Sequence, residues 1–220
     1  MNTKKTLAAG AAVLAVALSA AACGDSDTDT TAAPTTAEST ATTGTTENAA
    51  AHNQADVTFA QMMIPHHTQA VEMSDTLLGK QDIPESVTAL AQQIKAAQSP
   101  EIDQLTAWLE QWGEPSPTPD DMPGHDMPGH EMPGMTGMPA MTDMPGMMSE
   151  QDMRALDDAQ GTEAARLFLD LMIAHHEGAI EMARTEIDNG QSPDAVRMAT
   201  AIVETQQQEI DTMRRLLTTV

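Results

Sequence analysis

The sequence predicts an all-α protein, a four-helix bundle assembled from two αα-hairpins of one ancestry. Three observations predict it. First, Phe59, Met63, His66, Ala70, Met73 and Leu77 recur at alternating intervals of four and three residues, so they share one stripe of a helix. Second, that stripe returns as Phe168, Met172, His175, Ala179 and Met182 at a constant offset of 109 residues. Gln98, Glu101 and Ile102 return as Gln206, Glu209 and Ile210 at an offset of 108. Third, no stretch reads as a strand. One amphipathic hairpin cannot cover its own stripe, whereas two can, about a pseudo-twofold axis.

The elements follow in order. Residues 1–22 join a short basic start, with Lys4 and Lys5, to an apolar stretch ending in AAAC at 20–23. This reads as a lipoprotein signal peptide, with Cys23 as the lipidated first residue of an exported chain held on the outer face of the cell membrane. Ordinary cleavage that leaves an unpaired Cys is the alternative. Cys23 is the sole cysteine, so no disulfide forms within the chain and no thiolate pair can bind metal. Residues 23–52 offer almost nothing to bury and read as a disordered tether.

Residues 53–113 form the first hairpin. Gly79 and Pro84 bracket its turn, and Leu90, Ile94, Ile102, Leu105 and Leu109 face inward on its second helix. Gly113 and the prolines after it end that helix. Residues 114–148 are a long loop. In residues 149–220, Ser149 and Asp152 start a short helix that ends at Gly161, and Thr162 caps the next one. The second hairpin turns at Asn189–Pro193, and residues 53–220 make one bundle domain. Beyond the leader, no apolar run is long enough to span a bilayer.

Composition narrows the function. A formal net charge of −23 leaves no basic footprint for nucleic acid and favours a local excess of cations. Tyr is absent and aromatic residues make up only 2%, which argues against base- or sugar-stacking surfaces. Met, at 18 residues, is heavily over-used.

Four of the seven histidines lie in two strings, MIPHH at 63–67 and MIAHH at 172–176. His66 and His175 fall inside the core stripe, and His67 and His176 fall about 100° further round, at its edge. Ala70 and Ala179 leave room one turn away, and Met63 and Met172 share the histidines' face. Counting outward from the hairpin turns sets Gln98 level with His66, Glu101 with Met63, and Gln206–Gln207 with His175. A duplicated His–Gln–Glu–Met layer of this kind suits a metal chamber. Imidazole takes copper or zinc, thioether selects Cu(I), and Gln98, Glu101, Gln206 and Glu209 can orient the rings from behind. A core histidine satisfied by a glutamine is the alternative. Pro65 and Pro100 also lie at one level. A kink there would open the first hairpin beside His66; the second hairpin has neither proline, so the two halves need not be equivalent.

The loop carries the most specific chemical signal. Met122, His125, Met127, His130, Met132, Met135, Met138, Met141, Met144 and Met147 fall in Met-Pro-Gly-His and Met-Pro-x-Met units, interspersed with acids. Pro and Gly keep this stretch from becoming helix. Thioethers are soft, neutral ligands that favour Cu(I) or Ag(I), and a flexible run of them collects ions without preformed geometry. A Met-biased spacer is the alternative.

The strings M-I-P-H-H-T-Q-A-V-E-M and M-I-A-H-H-E-G-A-I-E-M, each followed by a helix with Q-x-x-E-I, resemble the domain of unknown function 305 family over about Asp56–Leu217. The resemblance implies a ferritin-like four-helix bundle, exported from the cell, with some members implicated in copper binding and tolerance. It places the paired-His motif on His66, His67, His175 and His176, with Met63, Met73, Met172 and Met182 around them. The Met–His loop is not part of the shared motif. A di-iron enzyme is disfavoured, because no Glu-x-x-His occurs and Glu72 and Glu181 lie off the stripe.

Three functions follow from these readings. The favoured one is a soft-metal lipoprotein that binds Cu(I), or Ag(I), for sequestration, tolerance or transfer. The others are an interaction scaffold without metal and a cuprous oxidase. The favoured reading assigns no catalytic residue. Its partners are metal ions, the membrane through Cys23, and a copper-handling protein. The oligomeric state is left open.

Overall fold

Asn53 opens the first helix with a reciprocal cap. Its side chain accepts from the N–H groups of Ala55 and Asp56, and the Asp56 carboxylate accepts from the Asn53 N–H at 2.6 Å. The computed structural model describes residues 51–117 and 144–220. Its helices are α1 (Gln54–Leu78), α2 (Glu85–Trp112), α3 (Glu150–Asp158), α4 (Gly161–Asn189) and α5 (Pro193–Leu217). Among the described residues there is no strand, and no helix is long and apolar enough to cross a membrane. The leader at 1–22, Cys23, most of the tether, and Met122, His125, Met127, His130, Met132, Met135, Met138 and Met141 lie outside the described residues.

Most expected boundaries are present. Gly113 closes α2 at φ +75°, a left-handed conformation that suits glycine. Ser149 and Asp152 form a capping box on α3, and Ser192 caps α5, whose first residue is Pro193. One expectation is corrected. Thr162 does not cap α4; the helix begins at Gly161, with Gln160 as its N-cap and no side-chain cap. The connection from α3 is only Ala159–Gln160, and Gly161 at φ +54° makes the sharp entry. Thr162 is therefore already inside the first turn. Both α1 and α2 run through their internal prolines, Pro65 and Pro100, as unbroken helices.

The packing is that of a helical bundle. α1 packs on α2, α4 packs on α5, and α1 meets α4, with α3 lying across α1 and α4. The apolar core falls into two parts. In one, Val57–Ile64 of α1 meet Leu105–Leu109, Ala179–Ala183 and Ala195–Ile202. In the other, Ala70–Leu77 of α1 meet Val87–Ile94, Ala164–Met172 and Ile210–Met213. That order requires α1 to run antiparallel to α2 and to α4, and α4 antiparallel to α5. Between the two parts lies a polar layer of His66, His67, Gln98, His175, His176, Gln206 and Glu209, none more than 3% exposed. Each fully buried Leu, Met or Phe on either side contributes about 1.5–3 kcal/mol. That burial is what holds such a layer at mid-bundle.

Candidate metal centre

Three of the four layer histidines have a fixed ring state. His67 Nε2 lies 2.7 Å from Glu101 Oε2, His176 Nε2 lies 2.7 Å from Glu209 Oε2, and His66 Nε2 lies 3.1 Å from the Pro145 carbonyl oxygen. Ionised carboxylates and carbonyls only accept, so each Nε2 is the donor, and in the neutral ring Nδ1 then keeps its lone pair. All three Nδ1 atoms are buried without a partner, and so are both ring nitrogens of His175. The His66 and His175 rings sit with centroids 3.8 Å apart, tilted by 40°.

Electrostatics keep His66, His175 and His176 neutral. Burial, reinforced by the neighbouring His67 and His176, pushes His66 down to about 3. Burial and the adjoining imidazoles hold His175 well below the ordinary histidine value. Burial also lowers His176, although its bond to Glu209 works the other way. Neutral imidazole is the metal-binding form. An orphaned buried polar atom costs about 1–3 kcal/mol. Five orphaned nitrogens in one layer therefore call for a ligand.

Among the described residues no three His, Cys, Asp or Glu side chains converge as a ready-made cage. The remaining soft donors are thioethers, and the pseudo-twofold sorts them into pairs. Met63 and Met182 belong to the core on one side of the layer, and Met73 and Met172 to the core on the other. All four are at most 7% exposed. Buried imidazoles, two of them bonded to carboxylates, between apolar cores that hold thioethers, supply donor types suited to Cu(I) or Ag(I).

Several sequence expectations are corrected in detail. His67 and His176 are not at the edge of the buried face; both are fully buried. Each central helix is covered by more than one neighbour, so its buried arc is wider than a single stripe. Gln98 does not bond His66, since both its amide atoms lack a partner, and the hairpin contact falls instead between His67 and Glu101. Ile102 is half-buried rather than core. Glu72 and Glu181 are exposed, as their position off the stripe predicts. The two halves differ: the Glu101 side chain is 24% exposed, whereas that of Glu209 is 4% exposed.

The end of the loop is the part that sequence reasoning missed. Met144 and Met148 are buried, at 6% and 8% exposure, and the turn between them presses Pro145 onto His66. The Gln69 side chain clamps the Met148 backbone through both its N–H and its C=O, at 2.7 and 3.0 Å. Gly178 lets Gly146 approach, since a Cβ there would stand 2.1 Å from the Pro145 oxygen and 2.6 Å from the Gly146 Cα. The available signal was that a glycine in the second string, in mid-helix, replaces Gln69 of the first.

Comparison with known proteins places this arrangement. Residues 56–217 match the family described as Domain of unknown function (DUF305). A putative secreted DUF305 protein from Streptomyces coelicolor is 32% identical, with a TM-score of 0.62, over 74% of this chain and 92% of that one. A DUF305 fragment from Deinococcus radiodurans is also 32% identical, with a TM-score of 0.62, over 76% of this chain and 98% of the other. CopM in its Cu(II)-bound form is 28% identical, with a TM-score of 0.57, over 74% of this chain and 96% of CopM. CopM has also been solved in Cu(I)-bound, Ag-bound and apo forms. No functionally curated protein matches the chain. With the family model matching residues 56–217, a span that holds both hairpins, this chain belongs to the DUF305 family.

Proposed function

We propose that the protein is an extracytoplasmic binder of soft monovalent metal ions, Cu(I) foremost and Ag(I) with it. The observation that carries this reading is the set of buried Nδ1 lone pairs on His66, His67 and His176, whose opposite nitrogens are tied to Pro145, Glu101 and Glu209. The bundle holds the ion in the histidine layer, with Met63, Met73, Met172 and Met182 as the flanking thioethers. The Met–His loop collects ions and feeds the layer, because its docked end, Met144–Met148, lies against His66. Support also comes from CopM, a relative solved with copper and with silver.

The protein acts as a binder rather than a catalyst. It is held outside the membrane by lipid on Cys23, and it sequesters the ion or passes it to a copper-handling partner. The decisive experiment is an anaerobic Cu(I) titration against a chromophoric Cu(I) chelator, with the wild type beside a His66→Ala/His175→Ala variant. The expected result is a tight class of sites in the wild type that the variant lacks, with weaker loop sites retained. Equal stoichiometry and affinity in both proteins would overturn the bundle site. Steady oxygen consumption by the copper-loaded protein would replace the binder reading with an oxidase.

A further inference from the structure

A cleft of about 400 Å³ lies between the N-terminal turns of α1 and the C-terminal half of α4. Phe59, Met62, Met182 and Pro145 give it largely apolar walls. Glu186 also lines it, at 1% exposure, and neither carboxylate oxygen has a hydrogen-bond donor. The side chain folds back beneath the α4–α5 turn, where Gly190 makes room: a Cβ there would stand 2.3 Å from Glu186 Oε1. Asp56 is close, but its oxygens are engaged by the N–H groups of Asn53, Gln191 and Ser192. Burial, then the hydrogen bond and the charge of Asp56, push the Glu186 carboxyl up to about 8, so in the metal-free protein Glu186 holds a proton that a bound cation would replace.

A buried carboxylate without a donor needs a proton or a cation. A hard divalent ion wants six or more oxygen ligands, and an ammonium wants three acceptors. Glu186 is the one buried side-chain acceptor of the cleft lining; the lining's other side-chain oxygens, on Gln54, Thr58, Glu181, Thr185 and Asn189, sit on exposed or half-buried side chains that water already solvates, so neither demand is met at Glu186. A soft monovalent ion needs less oxygen, because thioethers complete its shell and one carboxylate neutralises its charge. Met62 and Met182 line the same cleft.

We propose that Met62, Met182 and Glu186 form a second soft-cation site, for Ag(I) or Cu(I), that shares Met182 with the histidine layer and needs none of its histidines. The proposal rests on the soft-metal reading above and extends it to a cleft outside the shared His string. Pro145 lines the cleft and accepts from His66, so the site adjoins the segment that covers the layer. An ion held there stands beside that cover.

The test is Ag(I) titration of the full chain carrying Cys23→Ser, labelled with 13C at the methionine methyls, with Met62 assigned through Met62→Leu. The expected result is that the Met62 and Met182 signals shift in the parent protein and also in a His66→Ala/His175→Ala background. Glu186→Gln, an isostere of the protonated carboxyl, should weaken those shifts at least tenfold. Movement of Met63 and Met172 with Met62 unmoved would overturn this site and leave the histidine-layer reading standing. Shifts that persist undiminished in Glu186→Gln would also overturn it, since the carboxylate would then be no ligand. If no bundle methionine responds, both readings fall.

Discussion

Gln69 and Gly178 occupy the same place in the two copies of the His-His string, and both hold the same segment by opposite means. Gln69 grips the Met148 backbone with its amide, and Gly178 admits Pro145 and Gly146 by having no side chain. A duplicated hairpin has thus lost its symmetry at one position, so that the end of the loop can lie across α1 and α4. The consequence for the layer is that His66 has a backbone acceptor in Pro145 while His175 has no partner on either nitrogen.

Gly178→Ala separates packing from propensity. In a helix interior, alanine is normally favoured over glycine by about 0.5–1 kcal/mol. Here its Cβ would collide with backbone, 2.1 Å from the Pro145 oxygen, and backbone cannot swing aside as a flexible side chain does. Overpacking of this kind costs about 1–3 kcal/mol. The expected outcome is a lowered midpoint in thermal or urea unfolding. A raised midpoint would show that the docked segment gives way freely.

Gln69→Leu tests the other half of the clamp. The substitution leaves the Met148 N–H and C=O buried without partners, at a cost of about 1–3 kcal/mol. The Met148 amide should lose hydrogen-exchange protection, and the amides of mid-α1 and mid-α4 should not. A uniform loss across the bundle would mean that the clamp holds the whole fold and not the segment.

Glu101 and Glu209 should fix ring tautomers to unequal degrees. The Glu209 carboxylate is nearly enclosed, whereas the Glu101 side chain is 24% exposed and competes with water. Glu209→Leu should let His176 lose its fixed Nε2–H state, visible in imidazole 15N shifts, and should weaken copper affinity by about 10–100-fold. Glu209→Gln should rescue the tautomer, because the amide oxygen still accepts. Glu101→Leu should have the smaller effect.

The sequence was legible wherever one helix and its period decide the outcome. The stripe from Phe59 to Leu77 set α1 and its copy set α4, and the capping pair Ser149 and Asp152 marked the start of α3. Counting from the turns located the polar layer at the right height, because the rise per residue is fixed. Counting does not fix which side chain reaches across, and so Glu101 was set level with Met63 although it bonds His67. The docking of Met144–Met148 was not legible, because it depends on a gap at Gly178 that only the packed pair of helices creates.

The layer histidines make the metal-free protein acid-labile. Burial and the neighbouring imidazoles hold His66 at about 3, and His175 and His176 are lowered as well. In the unfolded chain these rings protonate near their ordinary value of about 6.5. Between that value and the folded one the unfolded state binds more protons, so stability falls as pH drops below 6.5. Each such ring contributes a slope of up to about 1.4 kcal/mol per pH unit. Urea unfolding from pH 7 to pH 4 should show this decline, and His66→Gln should flatten it. Copper-loaded protein should release its ion over the same range if the rings are ligands.

Glu186 gives the metal-free protein a slope of the opposite sign, which runs from about pH 4.5 to about 8 and partly offsets that of the three histidines below 6.5. Burial, then the hydrogen bond and charge of Asp56, push its carboxyl up to about 8. For Asp56, burial works to raise the carboxyl, but the Asn53 backbone, the protonated Glu186, and the Ser192 and Gln191 backbones together draw it below the ordinary value. The pair therefore holds one proton in the folded state across neutral pH, on Glu186. The unfolded chain releases that proton near 4.5, the ordinary glutamate value. Between about 4.5 and about 8 the folded state binds more protons than the unfolded one, so stability declines as pH rises through this window and levels off above it. Glu186→Gln keeps a donor for Asp56 at every pH, so it should remove the decline and make the variant more stable than wild type above pH 8. Urea midpoints at pH 5, 7 and 9 check this. Parallel curves for the two proteins would show that the proton is not shared.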